Sequence, residues 1–132
     1  EAGLRAVSGS ARPRFEALAH LAYCEVRKGE LKTAGDRLAE LDRLFPRLRR
    51  SIAFALQSHL ELKAGNYEQV LRRTDRSIAT GNRFLGRLRH TAIQRLLTNP
   101  GVNEERRIEL QREIAANGAD AGQEPLFEDL PK

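Results

Sequence analysis

Residues 15–46 read FEALAHLAYCEVRKGELKTAGDRLAELDRLFP, and this stretch decides the fold. Phe15, Leu18, Leu21, Ala22 and Val26 recur at three- and four-residue steps, the spacing of one helical face, until Lys28-Gly29 interrupts it. A second helix is predicted from near Leu31, carrying Ala34, Leu38, Leu41 and Leu44 on one side, and Pro46 ends it. Two amphipathic helices joined by so short a turn make an antiparallel hairpin. The first helix is expected to start after Ser10 with Pro13 in its first turn; Leu4 and Val7 then read as the last turn of an earlier helix, the chain beginning inside a longer array.

Working outward, the pattern recurs. A helix over residues 49–64 leads to the turn Ala64-Gly65-Asn66-Tyr67, and a partner helix runs through Val70, Leu71 and Ile78 to Gly81-Asn82. Gly65 and Gly29 occupy the same place in the two hairpins. Phe84, Leu85, Leu88, Ala92, Ile93, Leu96 and Leu97 mark a fifth helix ending at Asn99-Pro100-Gly101. Asn103 is positioned to cap a sixth, which carries Ile108, Leu110 and Ile114. The reading is an all-α domain over residues 1–118, with hairpins at about 13–46, 49–81 and 83–117. Beyond Gly118 the composition turns to Gly, Ala, Asp, Glu and Pro, so residues 119–132 are predicted to be a flexible acidic-hydrophobic tail.

A helix-turn-helix unit recurring every 34 to 36 residues, with Leu18, Leu21 and small Ala22 in its first helix, Gly29-Glu30-Leu31 at its turn, Ala34 and Leu38 in its second and Pro46 closing it, resembles the tetratricopeptide repeat. The second unit repeats the pattern with Phe54, Gly65-Asn66-Tyr67 and Val70, and departs from it at Gln57, Ser58 and Thr74; Glu25 and Glu61 stand where the family usually has tyrosine. Residues 15–82 carry the resemblance and 83–116 continue it in period. It implies a short right-handed solenoid whose hairpins bury their apolar faces only against neighbours. Two and a half repeats are close to the minimum for stability, so further repeats, a cap formed by residues 103–116, or self-association through repeat ends or the tail is expected.

The resemblance also implies a concave groove that holds a partner peptide, lined by the first helix of each hairpin. On this chain the matching positions include Tyr23, Val26, Arg27, Ile52, His59, Leu62 and Lys63, a mixed surface suited to a short segment. Ala19, Tyr23, Ala55 and His59 replace the lysines and asparagines with which some relatives clamp chaperone carboxyl termini, so that class of partner is not expected.

Charge narrows the partner further. There are 23 Lys plus Arg against 18 Asp plus Glu, a net +5, and only Lys28, Lys32, Lys63 and Lys132 are lysines. Residues 43–95 hold most of the excess, including Arg47, Arg49, Arg50, Arg72, Arg73, Arg76, Arg83 and Arg87, whereas the tail is acidic. This asymmetry points to an acidic protein partner. A nucleic-acid-binding or transcription-regulatory module using the same arginines is the alternative, weakened by the scarcity of interleaved aromatics. Within the tail, Leu126, Phe127 and Leu130 are close enough to share one face beside Glu128 and Asp129. Such a segment suits docking on its own array as an internal competitor, docking on a neighbouring molecule, or recognition by another protein.

Catalysis and cofactors are not expected. His20, His59 and His90 are far apart, and His20 with Cys24 gives two candidate ligands where zinc needs three or four. Cys24 reads as a small buried residue, and Glu104 and Glu105 as acids favouring a helix N-terminus. No phosphate-binding glycine loop or dinucleotide fingerprint occurs. No apolar run is long enough to span a bilayer. The absence of methionine makes Glu1 a processed end or the start of a fragment, which leaves compartment open with a cytoplasmic setting expected.

Overall fold

The computed structural model describes residues 2–46, 50–75, 82–116 and 125–130, with side chains from Pro13 onward except that of Arg50. Among these residues there are six helices and no strand: α1 (Ala2–Lys28), α2 (Leu31–Leu44), α3 (Arg50–Lys63), α4 (Tyr67–Arg73), α5 (Arg83–Leu97) and α6 (Glu104–Ala116), followed by a single 3-10 turn at Phe127–Asp129.

The first two hairpins turn by the same device. Gly29 adopts φ +84° and Gly65 φ +86°, the left-handed region in which a Cβ would be strained. That conformation lets the amide of Glu30 donate to the carbonyl of Glu25 while Gly29 donates to Val26; Asn66 and Gly65 repeat the pair on Glu61 and Leu62. Four carbonyls at the two helix ends are thereby satisfied. Since a Cβ at either glycine would meet nothing within 4 Å, the penalty for alanine is conformational. Gly65→Ala should cost about 1–2 kcal/mol, read as a lowered urea midpoint at unchanged m-value; a neutral result would mean the turn can relax.

The third hairpin closes differently. Asn99 makes an Asx turn with the amide of Gly101, and the Arg107 guanidinium reaches back to the carbonyls of Leu97 and Asn99 at 2.6 and 3.2 Å. A side chain here supplies what the glycine turn supplies in the other two. Asn82 and Asn103 cap α5 and α6 by accepting from the amides of Leu85 and Arg106.

Packing links each hairpin to the next. α1 rests on α2 and α3, α2 also on α3, α3 on α4 and α5, α4 on α5, and α5 on α6. Phe15 closes one end of the first hairpin by an edge contact with Phe45, ring centroids 5.7 Å apart. The interior is built from Ala22, Val26, Ala34, Leu41, Ala55, Leu56, Val70, Phe84, Leu88 and Ala92, all fully buried. Alanine at the crossings lets helix axes approach, and the large side chains fill the space between them.

The polar departures from the repeat pattern have local explanations. Ser58 and Thr74 are buried, and each hydroxyl donates to the carbonyl one turn earlier, Phe54 and Val70, so neither needs a tertiary partner. Glu25, also buried, is met by both ends of the Arg37 guanidinium at 3.3 and 3.1 Å, which locks α1 to α2. That hydrogen bond holds the Arg37 guanidinium above its ordinary pKa.

Three expectations change. α1 begins at Ala2, so Leu4 and Val7 belong to it and Pro13 lies inside. Proline forfeits the bond to the carbonyl four residues back, here that of Gly9, and crowds it with its ring, a local cost that this long helix absorbs. Leu21, expected at a packing position, is 41% exposed, and Phe54 stands at the surface with the Arg73 guanidinium 4.5 Å over its ring. α4 ends at Arg73 with Thr74 as its cap, and Ile78 falls outside the described residues.

Candidate functional site

The first helices of the three hairpins present one aromatic cluster. Tyr23 from α1, His59 from α3 and Phe84 from α5 meet with ring centroids 5.6 to 6.2 Å apart, tilted or edge to face. Helical spacing puts Tyr23 on the side of α1 that looks toward α3, and residue 59 occupies in the second hairpin the place of residue 23 in the first. The sequence pairs those positions; the packing of α3 on α5 adds Phe84 to them.

Residues 125–130 are seated on this cluster. The Tyr23 hydroxyl donates to the carbonyl of Pro125 at 2.7 Å and accepts from Arg27 at 3.0 Å. Phe127 makes edge contacts with Tyr23 and His20, at 5.6 and 4.7 Å between centroids. Pro125 and Leu130 are buried, Phe127 is half-buried, and Leu126 and Glu128 face out. The segment holds its own shape: Asp129 and Leu130 donate to the carbonyls of Leu126 and Phe127, and the Asp129 carboxylate accepts from the Leu126 amide at 2.9 Å.

The electrostatic centre of the contact is Asp129. Its carboxylate lies 3.2 Å from Arg87 and 3.6 Å from Arg83. The Arg87 and Asp129 side chains are only 8% and 9% exposed, whereas that of Arg83 is 62% exposed, so Arg87 carries the pairing. A pair so withdrawn from water is weakly screened by salt and strongly dependent on both members being present.

The predicted groove residues divide. Tyr23 and His59 are buried in ring contact with each other; Val26, Ile52 and Leu62 are buried within the helix packing; Arg27 and Lys63 remain exposed. The predicted basic surface also divides. Arg83 and Arg87 face the segment, Arg73 lies over Phe54 with its Nε 3.0 Å from the Ser58 hydroxyl, and Arg72 donates to Gln69. Arg47, Arg49 and Arg76 and the side chain of Arg50 lie outside the described residues. Of the tail motif, Phe127 and Leu130, three residues apart across the 3-10 turn, face inward, while Leu126, in extended backbone ahead of the turn, faces out. The tail expected to be flexible spans residues 119–132; its 119–124 portion is outside the described residues.

His20, Phe84 and Asp129 went unassigned as groove residues in the sequence. Asp129 alone left a trace, an acid three residues after Leu126 in position to close a turn. The sulfur of Cys24 lies 3.7 Å from His20 Nδ1, and no group of three or more potential metal ligands occurs among the described residues. Nor is any described helix long and apolar enough to cross a membrane. Comparison of the chain with models of protein families, with curated proteins and with solved structures finds no match.

Proposed function

We propose that the chain is a tetratricopeptide-like helical-hairpin array acting as a non-enzymatic scaffold, which takes a short segment of a partner protein on the face shared by α1, α3 and α5. The observation that carries this reading is the seating of residues 125–130: six residues, four of them turned inward, meet an aromatic floor, a hydroxyl that takes a backbone carbonyl, and a buried arginine that takes a carboxylate. Those are the contacts by which a groove recognises a peptide, with main-chain bonds for affinity and side-chain pockets for choice. The two matched glycine turns and the neighbour-to-neighbour helix packing support the repeat architecture.

The nucleic-acid reading has less behind it. Arg83 and Arg87 face a carboxylate, and Arg89 is held by Glu113 and the Leu71 carbonyl, so three of the arginines on the basic stretch serve internal contacts. Salt separates the two functions. Binding of the partner captured from lysate should fall along a log-log slope of about −1 to −2, and a slope several units steeper, or loss on nuclease treatment, would return the arginines to phosphate binding.

A conservative substitution tests the groove itself. Alanine at Tyr23 or His59 would empty space in the core, since both are buried. Tyr23→Phe removes only the hydroxyl and, in a chain whose own segment is disabled by Phe127→Ala and Asp129→Ala, should weaken partner binding about three- to tenfold with the far-UV circular dichroism unchanged. Equal affinity with and without the Tyr23 hydroxyl in that background would move the site off this face.

A further inference from the structure

We infer that residues 125–130 are a built-in stand-in for the partner's docking segment, so that the groove selects protein segments with an aromatic residue, an aspartate two positions later and a leucine directly after it. This rests on the groove reading above and names the chemistry of its occupant.

The pattern follows from which positions the array touches. Phe127 is required because His20 and Tyr23 offer it two ring contacts at 4.7 and 5.6 Å. Leu130 is required because it is buried beside α5. Leu126 and Glu128 are exposed, so those positions are open to any residue. Asp129 has two duties. One oxygen closes the turn on the Leu126 amide and also lies 3.2 Å from Arg87; the other faces Arg83. A glutamate would place its carboxylate one methylene further out and lose the turn closure, so the groove should distinguish the two acids. The carbonyl two residues before the aromatic is read through Tyr23, and because the Pro125 side chain is itself fully buried that position favours a residue of its size.

Held in the same chain, the segment competes with any partner. Covalent attachment gives the segment an effective concentration on the order of millimolar, so an external segment of equal intrinsic affinity meets an occupied site. Apparent affinity then falls by the occupied fraction.

The test uses the full chain and a fluorescein-labelled peptide of residues 123–132 (QEPLFEDLPK), read by anisotropy. Probe variants carry the changes that define the pattern, which leaves the folding of the array untouched. The full chain bearing Phe127→Ala and Asp129→Ala together should bind the parent peptide at least tenfold more tightly than the unaltered chain. Peptides with Phe127→Ala, Asp129→Ala or Asp129→Glu should each lose at least tenfold on that variant, and one with Glu128→Ala should lose less than threefold. Equal binding by the Asp129→Ala and parent peptides would overturn the pattern. A random peptide library panned on the same variant separates the two levels. Binders of a different pattern that weaken on Tyr23→Phe would overturn the pattern while retaining the groove; recovery of no binder would overturn both. Concentration-dependent association of the unaltered chain that the double variant lacks would seat the segment in a second copy, and would overturn the intramolecular competition.

Discussion

Phe84→Ala should be the most damaging single substitution in the array, costing about 3–5 kcal/mol of folding stability. Phe84 is fully buried in the first turn of α5, and its ring meets Tyr23 from α1 and His59 from α3. Truncation opens the ring cluster in which the first helices of all three hairpins meet, and helices cannot close the space without shifting against each other. Against a total stability of about 5–15 kcal/mol for a domain of this size, that is a large fraction, and the variant should unfold at a far lower urea concentration. A loss below about 1 kcal/mol would mean that α5 is not packed as described. The groove should suffer in parallel, because Tyr23 loses one of the rings packed against it; Leu21→Ala, at an exposed site on α1, is the control and should stay within about 0.5 kcal/mol.

Arg89→Ala comes next, at about 2–3 kcal/mol. Arg89 donates to both carboxylate oxygens of Glu113 on α6 and, at 2.8 Å, to the Leu71 carbonyl in α4, so one guanidinium ties three helices. Its side chain is 13% exposed and that of Glu113 25%, enough shelter to make the charge-assisted bonds matter and enough water to moderate the penalty for stranding the acid. The expected signature is a lowered melting temperature, with α6 amides exchanging hydrogen sooner than those of α2. Arg89→Lys should recover only part, since an ammonium cannot span the carboxylate and reach the carbonyl as a planar fork does. Full stability in Arg89→Ala would show that apolar contacts through Leu110 suffice to hold α6.

The Arg87–Asp129 pair behaves differently, although it is more deeply buried. On the competition proposed above, residues 125–130 leave the groove and return Arg87 to water, so the loss on Asp129→Ala is capped by the free energy with which the segment docks. Arg89 has no such escape without parting α5 from α6. The same principle explains why a tail contact suits competition while a helix-to-helix contact suits stability.

Much of this was legible before any coordinates. Apolar residues at three- and four-residue steps gave α2, α3, α5 and α6 to within a residue or so, since helix periodicity is a local property. Gly29 and Gly65 marked their turns because only glycine enters the left-handed region without cost. Asn103 marked a helix start for an equally local reason, a side-chain acceptor within reach of the next free amide. Pro13 misled: a single proline costs a helix one bond and some strain, which the continuing chain outweighs.

The helices, their turns and the excess of arginine over acid are thus written in local sequence. Which arginine meets which acid depends on how the helices pack. Arg87 and Asp129 are 42 positions apart, and Tyr23 and Pro125 are 102 apart; no periodicity relates such pairs, because their approach depends on the summed crossing geometry of α1, α3 and α5. Local spacing sets the face on which a residue sits, and packing between helices sets what that face is brought against.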